Sequence, residues 1–174
     1  MFRTHGISKE NMINNDGPWY YEMQDIGFNY RIPDILCALG SSQMERIEEF
    51  LEKRNYIASK YNEAFKNNKN ITIPPTTCKD SRHAYHLYPI LVNNPDKRRY
   101  VYDYLRERGI YTQVHYIPVH TQPYYMEKFG YNYGDYPKAE EFYSKELSIP
   151  MFPKMTDEEI EYVIKTINGI KLIR

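Results

Sequence analysis

Asn29 and Arg31 are the residues whose types and spacing most directly predict chemistry. They lie two positions apart in a segment that starts at Gly27, and an extended or turning segment could point both polar side chains to one side. Pro33 suits the first turn of a following helix, because the amide proton it lacks would have no partner there. An amide, a guanidinium and a helix N-terminus together predict an anion site. The alternative is an ordinary helix start with one hydrogen-bonded Asn and one surface Arg.

His115, Tyr116 and His120 form a second group of candidate residues. They lie at the end of a predicted strand and in the loop that follows it, where functional side chains of α/β proteins often lie. Imidazole nitrogens bind metals, but no third ligand follows at a suitable spacing, so no metal site is predicted. Contact of these histidines with a polar substrate is favoured over metal binding, whereas one of His83 and His86, on another predicted strand, is expected to pack inward.

The hydrophobic pattern predicts a long helix followed by an α/β layer. Residues 1–26 show no periodicity, which is typical of an irregular arm, whereas apolar residues recur every three or four positions from about 33 to 67. The fold class predicted is α/β, with a small sheet flanked by helices. The remaining pattern predicts strands at 71–75, 84–92 and 110–116, helices at 96–108, 124–129, 137–147 and 156–172, and a short extended piece at 148–151.

The composition argues against several classes of partner. The 23 basic residues equal the 23 acidic ones, which argues against the broad basic face of a nucleic-acid-binding protein. No apolar run approaches the length of a membrane span, and the N-terminus lacks the apolar core of a signal peptide. Cys37 and Cys78 lie far apart without metal-binding spacing, so the sequence favours a reducing, cytoplasmic setting.

The sequence lacks the short motifs of several common catalytic sites. It contains no Gly-x-Gly-x-x-Gly, no Gly-Lys-Ser/Thr phosphate loop and no Gly-x-Ser-x-Gly elbow. No lysine lies in an apolar turn of small residues, the context that activates a lysine for Schiff-base chemistry. The residues therefore predict binding groups, and no catalytic residue is assigned.

Five ordered motifs resemble the DegT/DnrJ/EryC1/StrS aminotransferase family, and the resemblance covers essentially all 174 residues. They are Phe2-Arg3-Thr4-His5-Gly6, Gly27-Phe28-Asn29-Tyr30-Arg31, Ala38-Leu39-Gly40, His86-Leu87-Tyr88-Pro89, and Gly109-Ile110 followed by His115-Tyr116-x-Pro118-x-His120. Enzymes of this family use pyridoxal 5'-phosphate (PLP) to place an amino group, with glutamate the expected donor, on a nucleotide-linked keto sugar. The form Gln113-Val114-His115-Tyr116 resembles the pseudaminic-acid branch, whose substrate is a UDP-linked 4-keto-6-deoxy-N-acetyl hexosamine.

The resemblance implies the C-terminal domain of a fold-type-I PLP-dependent transferase. Residues 1–32 would then be the tail of the large cofactor domain, 33–69 an interdomain connector helix, and 70–174 the small α/β domain. In the family, the Schiff-base lysine precedes the motif that matches Phe2-Arg3-Thr4-His5-Gly6. The chain is therefore expected to be part of an enzyme, without its catalytic lysine and inactive alone.

The resemblance also implies roles for single residues. Asn29 would approach the cofactor phosphate of a neighbouring subunit and Arg31 its sugar nucleotide, which implies a homodimer. His115, Tyr116 and His120 would line the sugar and nucleotide. The alternative is a non-catalytic regulatory or interaction module that reuses the small domain. In the chain alone, the aromatic arm that includes Trp19 is predicted to be disordered or to pack on a second copy.

Overall fold

The computed structural model describes residues 2–10, 12–13, 21–73, 75 and 81–172. They form two compact units, Met1–Ile47 and Glu48–Arg174. Trp19 and Cys78 lie outside the described residues. In the described part of the chain, no helix has the length and apolar character needed to cross a membrane.

The first unit is built on antiparallel pairing between two segments. One begins with the motif Phe2-Arg3-Thr4-His5-Gly6, and the other ends with Gly27-Phe28-Asn29-Tyr30-Arg31. Strand β1 (Ile7–Ser8) pairs with β2 (Glu22–Met23). The pairing continues beyond the strands as an antiparallel bridge between Thr4 and Asn29. The segment that carries Asn29 is therefore extended and is fixed by backbone hydrogen bonds.

Two glycines make this pairing possible. Gly6 has a φ of +70°, in the region that favours glycine. A Cβ on Gly6 would lie 1.7 Å from the Asp25 carbonyl oxygen, and one on Gly27 would lie 2.0 Å from the Gly6 amide nitrogen. No side chain fits at either position, so the glycine in each motif is required by its contact with the other strand segment.

The long helix predicted from 33 to 67 is two helices in the structure. They are α1 (Asp34–Met44) and α2 (Ile47–Phe65), and Pro33 directly precedes α1 as predicted. The Arg46 N–H donates to the Gln43 carbonyl oxygen at 3.2 Å, a tighter turn than the α-helical one, and α1 ends there. The compact units divide inside the range 33–69, and the role of that range as a domain connector stays a prediction.

The second unit contains a three-stranded antiparallel sheet. Its strands are β3 (Ile71–Thr72), β4 (Tyr88–Val92) and β5 (Glu146–Ile149), in the order β3-β4-β5. Ile90 pairs with Leu147 in the centre of the sheet. Alternate residues of β4 are fully buried, so the middle strand places one face in the core.

Four further α-helices follow among the described residues of this unit, and two of them, the first and the last, bury side chains in the core. They are α3 (Arg98–Arg106), α4 (Pro123–Phe129), α5 (Pro137–Lys145) and α6 (Asp157–Asn168). The largest fully buried side chains come from both the sheet and the helices: Ile57, Tyr61, Phe65, Tyr88, Ile90, Leu105, Leu147, Ile160 and Ile167. The core therefore lies between the sheet and the helices α2, α3 and α6.

Local sequence signals mark several helix ends correctly. Gly109 has a φ of +72° after α3, as expected for a glycine that ends a helix. At the start of α6, the Thr156 hydroxyl accepts the Glu159 N–H at 3.2 Å, and the Glu159 carboxylate accepts the Thr156 N–H at 2.9 Å. This reciprocal capping confirms the helix start predicted at Thr156.

The strand predicted at 110–116 is wrong. Within it, only Gln113 pairs with the sheet, through a bridge to Ser148. Two residues later, the His115 N–H donates to the Glu146 Oε2 atom at 2.7 Å. The acceptor of the His115 N–H is thus a side-chain oxygen and not a backbone carbonyl of a neighbouring strand. For this reason the backbone hydrogen bonds of a strand do not continue beyond Gln113.

The strand predicted at 84–92 begins only at Tyr88. Tyr85 has a φ of +43°, which interrupts the extended backbone. An Arg54 guanidinium nitrogen donates to the carbonyl oxygens of Tyr85 (2.8 Å), His86 (3.2 Å) and Met151 (3.0 Å). The side chain of Arg54 thus satisfies carbonyl groups that strand pairing would otherwise use.

Candidate functional site

Asn29 and Arg31 contact each other on the surface of the first unit. The Arg31 Nε atom donates to the Asn29 Oδ1 atom at 2.8 Å. A second Arg31 guanidinium nitrogen lies 3.4 Å from the His5 Nε2 atom. The contact uses the amide oxygen of Asn29 and leaves its N–H groups and most of the guanidinium exposed. The pair therefore presents hydrogen-bond donors and one positive charge to solvent, which suits an anionic ligand.

The N-terminus of α1 adds less to this group than the sequence predicted. Asp34 lies in the first turn of α1 and places a carboxylate there. A carboxylate at this position already stabilises the positive end of the helix dipole. The case for an anion site therefore rests on the side chains of Asn29 and Arg31.

His115 and Tyr116 lie together in the second unit. Their ring centroids are 4.7 Å apart in an edge-on arrangement, and Tyr116 is 71% exposed. The His115 Nδ1 atom is buried and has no hydrogen-bond partner among the residues that the structure describes. The exposed phenol is available to a ligand, while the imidazole is partly enclosed.

Glu146 fixes the backbone of His115 and was not singled out from the sequence. Its side chain is fully buried, and its two carboxylate oxygens accept the His115 N–H (2.7 Å) and the Ser148 hydroxyl (2.6 Å). Burial of a carboxylate costs free energy unless it is hydrogen-bonded, so these contacts are significant. The only signal in the sequence was an acidic residue directly before the short segment Leu147-Ser148-Ile149, in which two of the three residues are apolar.

His120 contacts a different set of side chains. It is 7% exposed, its Nε2 atom lies 2.9 Å from the Glu140 Oε1 atom, and its ring centroid is 4.7 Å from that of Tyr136. The same Glu140 oxygen accepts the Gly134 N–H at 2.8 Å. The hydrogen bond with His120, together with that of Gly134, lowers the pKa of the Glu140 carboxyl. One ring nitrogen of His120 is therefore already engaged.

His120 also lines a surface cavity of about 420 Å³. The cavity is mostly aromatic and apolar, and its other lining residues are Pro118, Val119, Tyr125, Phe129, Tyr131, Tyr136 and Ala139. Within the described ranges, no three His, Cys, Asp or Glu side chains are grouped so that they could hold a metal ion. The structure thus places Asn29 with Arg31, His115 with Tyr116, and His120 in an aromatic surrounding of its own.

Comparison with curated proteins finds relatives along nearly the whole chain. The chain is 38% identical over 179 aligned residues to an uncharacterized protein of Methanocaldococcus jannaschii, covering 99% of this chain and 45% of that protein. It is 36% identical over 172 residues to the spore coat polysaccharide biosynthesis protein SpsC of Bacillus subtilis. The match covers 95% of this chain and 44% of SpsC. The chain is 33% identical over 174 residues to the UDP-4-amino-4,6-dideoxy-N-acetyl-beta-L-altrosamine transaminase of Campylobacter jejuni, covering 98% and 43%.

Solved structures show the same relationship. PseC of Helicobacter pylori, an aminotransferase of pseudaminic acid biosynthesis, superposes with a TM-score of 0.79 at 30% identity, covering 95% of this chain and 43% of that one. Spr1654 of Streptococcus pneumoniae, assigned as a sugar aminotransferase and solved in a PLP form, superposes with a TM-score of 0.80 at 27% identity, covering 96% and 41%. The predicted fold class, the C-terminal α/β domain of a fold-type-I aminotransferase, is confirmed.

The matched region defines both the family and its extent. The chain spans less than half the length of these relatives, 43–45% of each curated protein. Residues 1–168 match the family model for DegT/DnrJ/EryC1/StrS aminotransferases, a PLP-dependent group of sugar aminotransferases. The chain belongs to the DegT/DnrJ/EryC1/StrS aminotransferase family.

Proposed function

We propose that this chain supplies the C-terminal part of a PLP-dependent sugar aminotransferase that acts in surface glycan synthesis. The whole enzyme would transfer an amino group from glutamate to a UDP-linked 4-keto-6-deoxy sugar in the cytoplasm. The likeness to the Campylobacter jejuni transaminase supports the sugar class. The observation that carries the proposal is the exposed donor pair of Asn29 and Arg31, joined at 2.8 Å on a backbone segment fixed by strand pairing.

The donor pair fits the phosphate groups of both the cofactor and the substrate. The free N–H groups of Asn29 would bind the PLP phosphate, and the guanidinium of Arg31 would bind the diphosphate of the sugar nucleotide. When bound, PLP supplies the electron sink that amino transfer needs. Because both residues would act on the site of a second subunit, the proposal includes a homodimer.

The second unit would contact the sugar. Tyr116 offers an exposed hydroxyl, and Glu146 holds the adjacent His115 backbone in place. His120 would contribute from the wall of the aromatic cavity, with its Nε2 atom engaged by Glu140. In this proposal Tyr116, His115 and His120 bind and orient the substrate. None of them is assigned the proton transfers of the reaction.

The proposal is tested in the whole enzyme with substitutions at the donor pair. Arg31→Ala is expected to weaken nucleotide-sugar binding by roughly tenfold to a hundredfold and to leave PLP bound, because charge-assisted hydrogen bonds contribute about 1.5–3 kcal/mol each. Asn29→Ala is expected to lower PLP occupancy, measured by visible absorbance. Lys154→Ala removes an exposed cation outside these groups and serves as the control.

Three results would contradict the proposal. An unchanged KM for the nucleotide sugar in the Arg31→Ala enzyme would remove the assigned role of Arg31. The 174-residue chain, mixed with PLP and reduced with borohydride, is expected to show no stoichiometric adduct on any one lysine. Such an adduct would show that the chain carries its own catalytic lysine, and a whole protein without transaminase activity would favour the regulatory alternative.

A further inference from the structure

A basic cavity of about 550 Å³ lies along helix α3, in the second unit. Arg98, Tyr102 and Arg106 recur at intervals of four on this helix, and Arg99 and Asp103 form the adjacent row. Residues four apart lie on one helix face, so the sequence brings these side chains together. The cavity is lined by Arg98, Arg99, Tyr102, Asp103, Arg106, Gln113, Val114 and Leu147.

Two of the three guanidinium groups are held by neutral oxygen atoms. Arg98 donates to the Tyr143 carbonyl oxygen, and its Cζ atom lies 4.9 Å from the centroid of the Tyr143 ring. Arg106 donates to the Tyr102 hydroxyl at 3.0 Å. Neutral acceptors restrict these side chains without cancelling their positive charges.

The third guanidinium is paired with the single carboxylate of the lining. The Arg99 Nε atom donates to the Asp103 Oδ2 atom at 2.7 Å. The three arginines and one aspartate of the lining leave two uncompensated positive charges. Each guanidinium has five N–H donors and uses only a minority of them in these contacts, so donors remain for a ligand.

We propose that this cavity binds a phosphate-bearing small molecule of nucleotide size. Guanidinium groups match the oxygens of a phosphate in geometry and charge, and the two positive charges would attract a diphosphate. The volume lies within the usual range of small-molecule sites. Val114 and Leu147 supply apolar surface, and Tyr102 and Gln113 supply polar groups, for the organic part of the ligand.

This site goes beyond the proposed aminotransferase function and does not depend on it. The donor pair of Asn29 and Arg31 belongs to the first unit, whereas the cavity is formed within the second. The inference can therefore be tested with the 174-residue chain itself. Titration calorimetry at low salt would use pyrophosphate, UDP and uridine as probes.

We expect pyrophosphate and UDP to bind, UDP more tightly, and uridine not to bind. Arg99→Gln and Arg106→Gln are each expected to weaken UDP binding by about tenfold or more, because each removes charge-assisted hydrogen bonds. Arg108→Gln is the matched control, since its guanidinium lies 3.5 Å from the Tyr104 ring centroid and does not line the cavity. Thermal melting by circular dichroism checks that each variant is folded.

Four outcomes would overturn the proposal. They are an absence of binding at millimolar pyrophosphate and UDP, an equal loss in the Arg108→Gln control, binding of pyrophosphate without UDP, and binding of single-stranded RNA without UDP. A fifth overturning outcome comes from Arg31→Ala, which separates this site from the proposed substrate site. If Arg31→Ala removes UDP binding and Arg106→Gln leaves it intact, the α3 cavity is not the nucleotide site, and the proposed function is unaffected.

Discussion

Among single residues, Arg54 stabilises the loop before β4 through one guanidinium nitrogen. That nitrogen donates to the carbonyl oxygens of Tyr85, His86 and Met151 at 2.8–3.2 Å. Arg54→Met keeps much of the apolar volume of the side chain but removes its donors. We expect the free energy of unfolding to fall by about 2–3 kcal/mol, measured by urea denaturation, because the partly buried carbonyl groups of Tyr85 and Met151 lose their partner.

Arg82→Met is the control for this prediction. Arg82 pairs with Glu48, and both side chains are exposed, so its loss is expected to cost less than about 1 kcal/mol. Equal losses in the two variants would show that the contacts of Arg54 contribute no more than a surface ion pair.

Glu140 predicts a pH dependence of stability. The pKa of the Glu140 carboxyl is lowered. The hydrogen bond to the His120 ring is the largest cause, and the hydrogen bond from the Gly134 N–H is the second. The ionised form is therefore favoured in the folded state, and the resulting stabilisation is fully present above the pKa of the unfolded chain. It is lost as the pH falls through the lowered pKa of the folded state.

Melting temperatures measured across the acidic range test this dependence. Glu140→Gln is expected to reduce the drop in melting temperature on acidification, because the titrating group is gone. Glu161→Gln, at an exposed position of α6, is expected to keep the wild-type profile. A Glu140→Gln profile parallel to that of the wild type would exclude Glu140 as a source of the acid sensitivity.

The site residues differ in how far the sequence could predict them. The contact between Asn29 and Arg31 follows from a spacing of two in an extended segment, which is local information. The partners of Arg54 lie as far as 97 positions away in the chain. The acceptor of the His115 N–H is a side chain 31 positions distant. No local pattern encodes such pairs, because they arise only when the sheet and helices have packed.

At the scale of elements, the pairing of β1 and β2 depends on the two facing glycines. Gly27→Ala would place a Cβ 2.0 Å from a backbone nitrogen, so the strand segments must separate. We expect loss of protection from hydrogen exchange at the His5 and Tyr30 amides, which donate to Phe28 and Arg3 carbonyls. Nuclear magnetic resonance measures these amides individually.

Gly40→Ala is the matched glycine substitution. Gly40 lies inside α1, and a Cβ there meets nothing within 4 Å. We expect this change to stabilise α1 by about 0.5–1 kcal/mol, because alanine has the higher helix propensity. The His5 and Tyr30 amides should be less protected in Gly27→Ala than in Gly40→Ala. Equal protection in the two variants would refute the proposed role of the glycine contact.

Several helix starts were predictable from the sequence, whereas the start of α2 at Ile47 and the limits of the strands were not. Pro123, Pro137 and Thr156 each mark a helix start by local chemistry, a fixed φ or a capping hydroxyl. The strand limits depend on which partner each backbone group finds. Arg54 donates to carbonyl groups before β4, so the strand predicted at 84–92 begins late. Glu146 accepts the His115 N–H, so the strand predicted at 110–116 does not form.

At the scale of the whole molecule, α1 exposes an apolar face. None of its residues is buried, and Ile35 and Leu39, one turn apart, are 78% and 57% exposed. With a homodimer proposed, we expect the 174-residue chain to self-associate through this face. Replacement of Ile35 and Leu39 by lysine is expected to raise the dissociation constant at least about tenfold, because each buried aliphatic side chain contributes about 1.5–3 kcal/mol.

Sedimentation equilibrium over a range of concentrations measures this association. Gln43→Lys adds a charge to the same helix at an exposed polar position and is expected to change association little. A wild-type chain that remains monomeric at all concentrations would contradict the prediction. So would an equal effect of Gln43→Lys.

The strand order β3-β4-β5 has a consequence for synthesis on the ribosome. β4 follows β3 closely in the chain, but its other partner, β5, emerges only after α3, α4 and α5 have been translated. Until then β4 has an unpaired edge, and the buried side chains of α6 have not yet been made. A nascent chain that pauses within α4 or α5 therefore exposes an apolar strand to chaperones and to neighbouring nascent chains. We therefore expect slower synthesis of this stretch to lengthen the time for which β4 lacks its second partner strand.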